Sequence, residues 1–352
     1  MLIRQPDGEW VFAPDRIYMG YIDLHLHLDG SVSFATLKKL AVMQNISLPE
    51  NLTAEDLSVP ADCRDLNEYL SKFDLPCKLL QTKDALSFAT ECLLYELQSI
   101  GITYTEIRFA PQKHTEKNLT EWDAAMAVLH GYNVAKSKAD VPGARFIFCL
   151  MRTDYGKSGE CRTGKNNTYD YENECRKNKD KNLETVDIAC TMKKRGNELC
   201  AGLDLAGAEG LYPTVQFEEE FSIARKNGVP FTIHAGEAAS AESIRCALDF
   251  GAKRIGHGVR AVDDESLMKR IAKEGIVLEM CPTSNLQTKA VPCMEKFPLG
   301  EFMRHNIKCT INSDNMTVSG TNVVKEFEIL KNHGFSEEIL SKIQENAVHS
   351  YL

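Results

Sequence analysis

The chain has 352 residues and a formal net charge of −9, and 43% of its residues are hydrophobic while 26% are charged. This composition excludes collagen, coiled-coil and largely disordered proteins, and the acidic balance argues against a nucleic-acid binder, which needs a basic face. No stretch nears the roughly 20 apolar residues of a membrane helix, and the N-terminus shows no basic flank followed by an apolar run, so neither a membrane span nor a signal peptide is predicted.

The 12 cysteines are too sparse for a disulfide scaffold, and no two of them form a C-x-x-C pair. Most lie in apolar runs, such as Cys149 in FIFCLM and Cys309 in IKCTI. We therefore expect reduced, buried thiols in a cytoplasmic protein.

Short β-rich runs recur along the chain and alternate with helical segments. Eight such runs begin at Tyr21, Ile102, Ala144, Cys200, Pro230, Arg254, Gly275 and Ile307. Most gaps hold a helix-like segment, such as FEEEFSIARKNG from Phe217 and DDESLMKRIAKEG from Asp263, and both end at a glycine with basic residues in the last turn. The alternation predicts parallel βαβ units. The spacing favours an α/β fold of the (β/α)8 TIM-barrel type over an open sheet.

Two gaps are longer than a crossover needs, although residues 1–352 are predicted to form a single catalytic domain. Residues 29–99 contain the helical patterns FATLKKLAVMQ and LNEYLSKFDLPCKLLQ, which predict a cap or lid over the strand ends. Residues 153–183 are rich in Lys, Asn, Gly, Asp and Glu and nearly devoid of aliphatic side chains. We interpret this second segment as a solvated polar insertion after the third strand.

Unusual polar groups concentrate where the predicted strands end. His25 and His27 stand at i and i+2 in HLHLD, so both imidazoles project to one face of a strand and can share a cation. His234 ends the fifth strand in IHAGE, His257 lies between two glycines in the sixth, and Asp314 ends the eighth in INSDN. Each alone could equally be a core histidine or a turn aspartate, but in a barrel these strand ends converge on one mouth. Three imidazoles and one carboxylate suit zinc, with a water completing the coordination.

Glu237 follows His234 by three residues and is expected beside that water without being a ligand. This is the position of a general acid or base. Zinc lowers the pKa of bound water from about 15.7 toward about 7, and His257 could orient the hydroxide or take its proton. Together these residues predict metal-assisted hydrolysis.

At this point the sequence resembles the adenosine deaminase family of mononuclear zinc amidohydrolases. The matching pieces are HLHLDGS, YTEIRFAP, GLDLAGAE, IHAGE, RIGHGV, LEMCPTSN, INSDN and the closing NAVHSYL, which span nearly the whole chain in the family's order. Binuclear amidohydrolases usually carry a carboxylated lysine on the fourth strand. The fourth run here, CAGLDLAG, has no lysine, which favours one metal.

The resemblance implies roles for the strand-end residues. One zinc ion would be held by His25, His27, His234 and Asp314. Glu237 would donate a proton to purine N1, while His257 and Asp314 would orient the hydroxide that attacks C6 and expels ammonia.

The resemblance also implies substrate contacts. The backbone N–H of Gly207 would reach purine N3, Asp29 would bind the ribose 5′-hydroxyl, and His27 would face the same site. Phe73, in YLSKFD, resembles the lid residue over the purine, although a helix-core aromatic is the alternative. Asn315 stands where many family members have a second aspartate that donates to purine N7. Its amide is a permanent donor.

The expected activity is the hydrolysis of adenosine, and of 2′-deoxyadenosine, to the corresponding inosine and ammonia. The alternatives are deamination of another adenine compound, such as free adenine, and a catalytically silent nucleoside-binding protein. Adenine deaminases of this superfamily tend to carry a glutamate where Asp29 stands, and HLHLDGS supplies no Arg or Lys for a 5′-phosphate. A silent binder needs neither Glu237 nor His257. The predicted partner is therefore a small purine nucleoside, with no nucleic acid or membrane involved.

Overall fold

The computed structural model describes residues 2–4, 10–12, 20–154 and 168–352. A short antiparallel hairpin, which the sequence patterns do not predict, comes first: β1 (Leu2–Arg4) pairs with β2 (Trp10–Phe12). All eight predicted β-rich runs form strands. They are β3 (Tyr21–His27), β4 (Ile102–Phe109), β5 (Gly143–Arg152), β6 (Cys200–Gly207), β7 (Thr232–Ala235), β8 (Arg254–His257), β9 (Val277–Met280) and β10 (Lys308–Ile311).

Helices fill most of the connections between these strands. In the described residues they are α1 (Phe34–Met43), α2 (Leu66–Leu70), α3 (Asp74–Leu79), α4 (Lys83–Ser99), α5 (Glu121–Lys138), α6 (Thr168–Lys194), α7 (Glu218–Lys226), α8 (Ala241–Phe250), α9 (Glu265–Glu274), α10 (Pro282–Gln287), α11 (Leu299–Arg304), α12 (Val323–Asn332) and α13 (Glu337–Val348).

Local chemistry fixes where several of these helices begin and end. Ser33 Oγ accepts a backbone N–H at the start of α1, and Thr120 forms a reciprocal capping box with Asp123 at the start of α5. Gly251 ends α8 and Gly275 ends α9, with φ of 101° and 69°. Glycine adopts this left-handed conformation without the steric penalty that a Cβ imposes.

The eight parallel strands form two four-stranded sheets, in the orders β3-β4-β5-β6 and β7-β8-β9-β10. A parallel bridge joins the sheets at each seam: Leu203 pairs with Phe231 just before β7, and Leu26 pairs with Asp314 just after β10. The strands therefore follow one another in a ring, which confirms the predicted (β/α)8 barrel. In this architecture the carboxyl ends of all the strands open on one mouth.

The predicted cap region divides into two parts. Helix α4 packs against α5 and β4 as an ordinary outer helix of the barrel. The segment from α2 to α3 instead lines the cavity at the mouth. It is held by a small apolar cluster separate from the main core, formed by Val59, Cys63, Leu66, Tyr69 and Val318. Val318 belongs to the loop after β10, so this cluster fastens the cap to the loop of the neighbouring strand.

The described part of the predicted insertion is helical. Residues 155–167 lie outside the described residues, and 168–183 form the first half of α6. The apolar side chains of the second half, including Val186, Ala189 and Met192, are buried against the barrel. Asn182 adds a specific attachment, because its amide pairs with both the N–H and the C=O of Met151 in β5, at 2.8 and 2.9 Å.

The sequence predicts no membrane-spanning helix and reduced thiols. Among the helices described, none has the length and apolar content needed to cross a membrane. Every cysteine within the described ranges is a free thiol, and most of them are buried.

Candidate metal and substrate site

Imidazole and carboxylate groups from both sheets meet at the mouth of the barrel. The groups are His25 and His27 of β3, His234 of β7, and Asp314 after β10, and all are buried. His27 Nε2 lies 3.3 Å from His234 Nε2 and 3.5 Å from Asp314 Oδ1. His25 Nε2 lies 3.5 Å from the same Asp314 oxygen. Ligand atoms about 2.0–2.1 Å from a tetrahedral zinc ion are about 3.3–3.4 Å apart, so these separations fit one small cation.

His257, at the end of β8, is a fifth member of this group. One donor atom from each of His25, His234, His257 and Asp314 lies within 4.8 Å of the other three. Distance alone therefore does not decide whether His27 or His257 completes a set of four ligands. The hydrogen bonds to the other ring nitrogens supply the distinction.

Carboxylates lie against the Nδ1 atoms of two imidazoles, and one of them fixes a tautomer. Glu279 Oε2 lies 2.8 Å from His25 Nδ1, and Asp204 Oδ2 lies 2.8 Å from His234 Nδ1. An ionised carboxylate can only accept, so His25 Nδ1 carries the hydrogen and its Nε2 keeps a lone pair for a metal, while Asp204 approaches His234 as an ion-pair partner outside hydrogen-bond geometry. His25 Nε2 is buried and forms no hydrogen bond within the described part of the chain, as a metal-ligating nitrogen requires.

His257 accepts a hydrogen bond at Nδ1 instead of donating one there. Asn285 Nδ2 lies 2.9 Å from His257 Nδ1, and Asn285 Oδ1 accepts from Cys281 N at 3.4 Å, which orients the amide NH2 toward the ring. The amide donates to Nδ1, so the proton of a neutral His257 is on Nε2. That nitrogen faces Glu237 Oε2 at 3.5 Å. Because a protonated nitrogen cannot bind a metal, the donor chemistry favours the set of His25, His27, His234 and Asp314.

The backbone at the mouth is held in unusual conformations. His257 has φ of 61° and Asp314 has φ of 60°, a left-handed region that non-glycine residues adopt only where their surroundings enforce it. Asp314 N donates to His25 O and His27 N donates to Asp314 O, each at 2.8 Å. Gly256 permits the close packing of the rings, because a Cβ there would lie 3.2 Å from His25 Cε1. Two of the six non-glycine residues with positive φ in the described chain are thus predicted functional residues at the mouth.

A layer of buried ion pairs, which the sequence motifs do not predict, lies beneath the imidazoles. Arg108 donates to Asp204 and to Glu279, both at 2.9 Å, while Arg254 donates to Glu279 at 2.5 Å and to Glu106 at 2.6 Å. Burial raises the pKa of Glu279, but Arg108 and Arg254 outweigh burial and hold that pKa well below its usual value. The sequence indicates this layer only through charged residues inside otherwise apolar strand motifs, such as YTEIRFAP and LEMCPTSN.

Glu237 is set apart from these ionised carboxylates. Burial, together with the charges of Asp314 and Glu209, raises its pKa to about 8. Thr288 Oγ1 donates to its Oε1 at 3.0 Å. Glu209, which the sequence analysis also leaves without a role, accepts backbone N–H groups from all four residues of 236–239 and so fixes the loop that carries Glu237. The arrangement holds a carboxyl group that keeps its proton at neutral pH.

A cavity of about 560 Å³ opens above this cluster, within the usual range for a small-molecule site. The predicted substrate-facing and catalytic residues line it: His27, Asp29, Phe73, Gly207, Glu237, His257, Asp314 and Asn315. His25 lies behind this wall and is fully buried. The structure thus brings all the predicted site residues to one place.

Asp29 does not cap the helix that follows it, because Ser33 caps α1. Its Oδ1 accepts from Gly30 N at 3.1 Å, and its Oδ2 lies 3.8 Å from Cys77 Sγ. Burial raises the pKa of Asp29 to about 6. The carboxylate is therefore available to a ligand in the cavity.

Gly207 and Phe73 form other parts of the cavity wall. Gly207 has φ of 104°, a backbone conformation that favours glycine, and it lines the cavity. Phe73 is half-buried beside Tyr69, with ring centroids 6.3 Å apart. It belongs both to the cavity wall and to the margin of the cap's apolar cluster.

Comparison with known proteins gives a consistent result. Residues 21–352 match the family described as adenosine deaminase. The adenosine deaminase of Haemophilus ducreyi is 45% identical over 315 residues, covering 88% of this chain and 85% of that protein. The adenosine deaminase of Enterococcus faecalis is 34% identical over 330 residues, covering 93% of this chain and 90% of that protein.

Solved structures of the same fold include an adenine deaminase from Arthrobacter aurescens, with a TM-score of 0.79, 24% identity, and coverage of 95% of this chain and 94% of that one. A zinc-bound amidohydrolase from Burkholderia ambifaria has a TM-score of 0.76 at 21% identity, covering 99% and 90%. An N6-mAMP deaminase from Arabidopsis has a TM-score of 0.77 at 21% identity, covering 94% and 93%. At these identities the likeness shows the fold alone.

Proposed function

Because the chain belongs to the adenosine deaminase family, we propose that it is a zinc-dependent hydrolase that converts adenosine and 2′-deoxyadenosine to inosine and 2′-deoxyinosine with release of ammonia. The observation that carries the proposal is one cavity with a metal-ligating cluster and the Glu237–His257 pair at its base and Asp29 in its wall. We also propose that it acts in the cytoplasm, in keeping with its free thiols.

The proposed cofactor is one zinc ion per chain, held by the four ligands His25, His27, His234 and Asp314. The donor set of three imidazoles and one carboxylate, the separations of 3.3 and 3.5 Å, and the unpartnered His25 Nε2 support this choice. When bound, zinc supplies an acidified water as a hydroxide source near neutral pH. Glu279 behind His25 keeps the Nε2 of that ring unprotonated for binding, and Asp204 supplies a carboxylate beside His234 Nδ1.

Glu237 and His257 would handle the protons. The raised pKa of Glu237 keeps its carboxyl protonated at neutral pH, so it can donate to purine N1 and make C6 more electrophilic. His257 would orient the attacking water. The oxygen of water bonds to C6 while N1 takes the proton of Glu237. One proton of that water returns to Glu237 and the other passes to the exocyclic nitrogen, whose bond to C6 then breaks to release ammonia.

The cavity wall would orient the nucleoside. Gly207 N–H would donate to purine N3, Phe73 and His27 would contact the purine, and Asp29 would accept the proton of the ribose 5′-hydroxyl in a charge-assisted bond. Asn315 is proposed as a further purine contact. These contacts place C6 toward the cluster when the ribose lies at Asp29.

The charges around Asp29 bear on the choice between nucleoside and nucleotide. Lys78 and Lys113 line the cavity, but three carboxylates, those of Asp29, Asp74 and Glu116, line it as well. A 5′-phosphate beside Asp29 would meet the like charge of that carboxylate in a partly enclosed space. The cavity favours a neutral nucleoside over a nucleotide.

The proposal is tested by an ultraviolet assay of purified protein on adenosine, adenine and AMP, with zinc content measured alongside. We expect kcat/KM for adenosine to exceed the values for adenine and AMP by orders of magnitude. A preference for adenine would make the protein an adenine deaminase. Zinc binding with no turnover of any of the three would favour a silent nucleoside-binding protein.

A further inference from the structure

The amide of Asn315 is fully engaged by the protein. Its Nδ2 lies 2.6 Å from Asp314 Oδ1 and 2.9 Å from Tyr69 Oη. An amide NH2 has two hydrogens, so both have partners. Its Oδ1 is buried and points at Gly30, where even a Cβ would lie 1.8 Å from that oxygen. The side chain is thus confined on both sides and has no hydrogen left over for a ligand.

Tyr69, which accepts one of the two amide hydrogens of Asn315, belongs to the cap. Tyr69, in α2, packs in the apolar cluster with Leu66 and Val318, and its Oη also lies 2.7 Å from Ser319 Oγ. Burial raises the pKa of Tyr69 well above its usual value, so the hydroxyl keeps its proton. Tyr69 therefore connects the cap to the loop that follows β10.

Further hydrogen bonds hold the loop after β10 on both sides. The N–H groups of Thr317 and Val318 donate to Gly30 O at 3.1 Å, and Met316 N donates to Ser31 Oγ at 3.0 Å. On the cap side, Ser58 Oγ donates to Thr317 O at 2.8 Å. The loop residues beside Asp314 are held between the turn after β3 and the cap.

We propose that Tyr69 and Asn315 are positioning residues that transmit the placement of the cap to the carboxylate of Asp314. Asp314 Oδ1 is the oxygen nearest to both His25 Nε2 and His27 Nε2, and Asn315 Nδ2 fixes it with a charge-assisted bond. Without that bond the carboxylate could rotate away from the imidazoles. A correctly seated cap, through Tyr69, keeps the amide turned toward Asp314.

The inference deepens the proposed function but differs from it on one point. Donation by Asn315 to purine N7 requires a free amide hydrogen, whereas here Asp314 and Tyr69 take both. A positioning role acts on the metal ligand before any substrate arrives. The two roles therefore predict different results in the absence of substrate.

The first test measures how fast zinc-loaded protein loses its metal to a chelator, with no substrate present. Removing a residue that orients a metal ligand typically costs 10–100-fold in metal affinity or activity, so we expect Asn315→Ala to speed zinc loss by about 10- to 100-fold. Tyr69→Phe should act in the same direction by a smaller factor. The double variant should be no worse than Asn315→Ala, because Tyr69 acts through Asn315.

The matched control is Tyr95→Phe, which removes a tyrosine hydroxyl bonded to Glu91 at 2.8 Å on helix α4, away from the cavity. It should lose zinc at the parent's rate. Melting temperatures of the zinc-free proteins separate a local effect from general destabilisation. If Asn315→Ala does not fold, Tyr69→Phe, which keeps the ring in its cluster, decides the question.

The second test compares adenosine with 7-deazaadenosine, which lacks the N7 acceptor. A positioning role predicts that Asn315→Ala lowers kcat for both by the same factor and changes KM little. A loss confined to adenosine would overturn it in favour of N7 donation, as would unchanged zinc release in both single variants. The chelator test needs no turnover, so failure of the proposed function and failure of this inference are distinguishable.

Discussion

Glu237 and His257 face each other at 3.5 Å, yet different neighbours set their protonation. Burial and the charges of Asp314 and Glu209 favour a protonated Glu237, while Asn285 places the proton of a neutral His257 on Nε2. Burial also holds the pKa of His257 well below its usual value, so the ring stays neutral. The pair thus presents a carboxyl that can donate and an imidazole that can orient water.

We predict that Glu237→Gln abolishes most activity and leaves zinc bound. The amide keeps the shape and the hydrogen bond from Thr288, but it cannot cycle a proton. General acid–base groups contribute roughly 10²–10⁴ in rate, and we expect kcat to fall within that range. Turnover and zinc content are measured on the same sample. Loss of zinc from the variant would instead identify Glu237 as a ligand.

Asp29 supports a prediction about substrate choice. Asp29→Ala removes the acceptor proposed for the ribose 5′-hydroxyl, so the parent's preference for adenosine over 5′-deoxyadenosine should largely disappear. We expect a loss of about 1.5–3 kcal/mol, typical of a hydrogen bond to a charged group, confined to adenosine. Values of kcat/KM for both nucleosides test this. Equal losses for both would show that the carboxylate serves the structure and not the ribose.

At the scale of elements, the contact between α5 and α6 contains a buried acid away from the site. Glu121, in the first turn of α5, accepts from Thr185 Oγ1 of α6 at 2.6 Å. Burial raises the pKa of Glu121 from its ordinary 4.5 to about 8. The folded chain therefore keeps a proton on Glu121 between these pH values, while the unfolded chain releases it. The free energy of unfolding therefore falls as the pH rises through that window.

We predict that Glu121→Gln flattens this pH dependence. Gln is neutral throughout and can still accept from Thr185, so the variant should match the parent near pH 5 and exceed its free energy of unfolding near pH 8. The difference grows by at most about 1.4 kcal/mol per pH unit, the value for one proton. Urea midpoints at both pH values measure it. Glu328→Gln, the same change at an exposed site on α12, is the control and should show no such divergence.

At the scale of the whole molecule, the cluster joins the two halves of the barrel. Two proposed ligands, His25 and His27, belong to the first sheet, while His234 and Asp314 belong to the second or to the loop after it. The backbone connects the sheets by one bridge at each seam. A bound metal ion would therefore add a cross-link at the mouth to the buried ion pairs of Arg108 and Arg254, which already join the two sheets beneath it.

We predict about one zinc ion per chain and a lower melting temperature after its removal. Zinc binds the folded state, so it stabilises by RT ln(1 + [Zn]/Kd), which is about 4.1 kcal/mol at 1,000 times Kd. Metal analysis and thermal unfolding before and after chelation test both statements. His234→Ala should hold zinc weakly and melt close to the stripped parent. Two tightly held metals per chain would contradict the mononuclear assignment.

The sequence by itself determines the strands and the donor groups at their ends. The eight β-rich runs and the glycine that ends α9 depend on local patterns, and all appear in the structure. The histidines of HLHLDGS, IHAGE and RIGHGV are equally visible, because a residue's metal-binding chemistry belongs to its own side chain. The helical character of 168–183 is not visible in the sequence, because these residues are polar and show no apolar stripe. The second half of the helix and Asn182 hold it against the barrel.

Only the tertiary structure decides which nitrogen of each imidazole is free and which carboxylates stay ionised. Glu279, which fixes the tautomer of His25, lies 254 residues away in sequence, and Tyr69 lies 246 residues from Asn315. Hydrogen bonds and charge interactions act over a few ångströms, and closure of the barrel together with packing of the cap over its mouth brings these groups within reach. The sequence therefore names the chemical groups of the site, while folding assigns their protons and their partners.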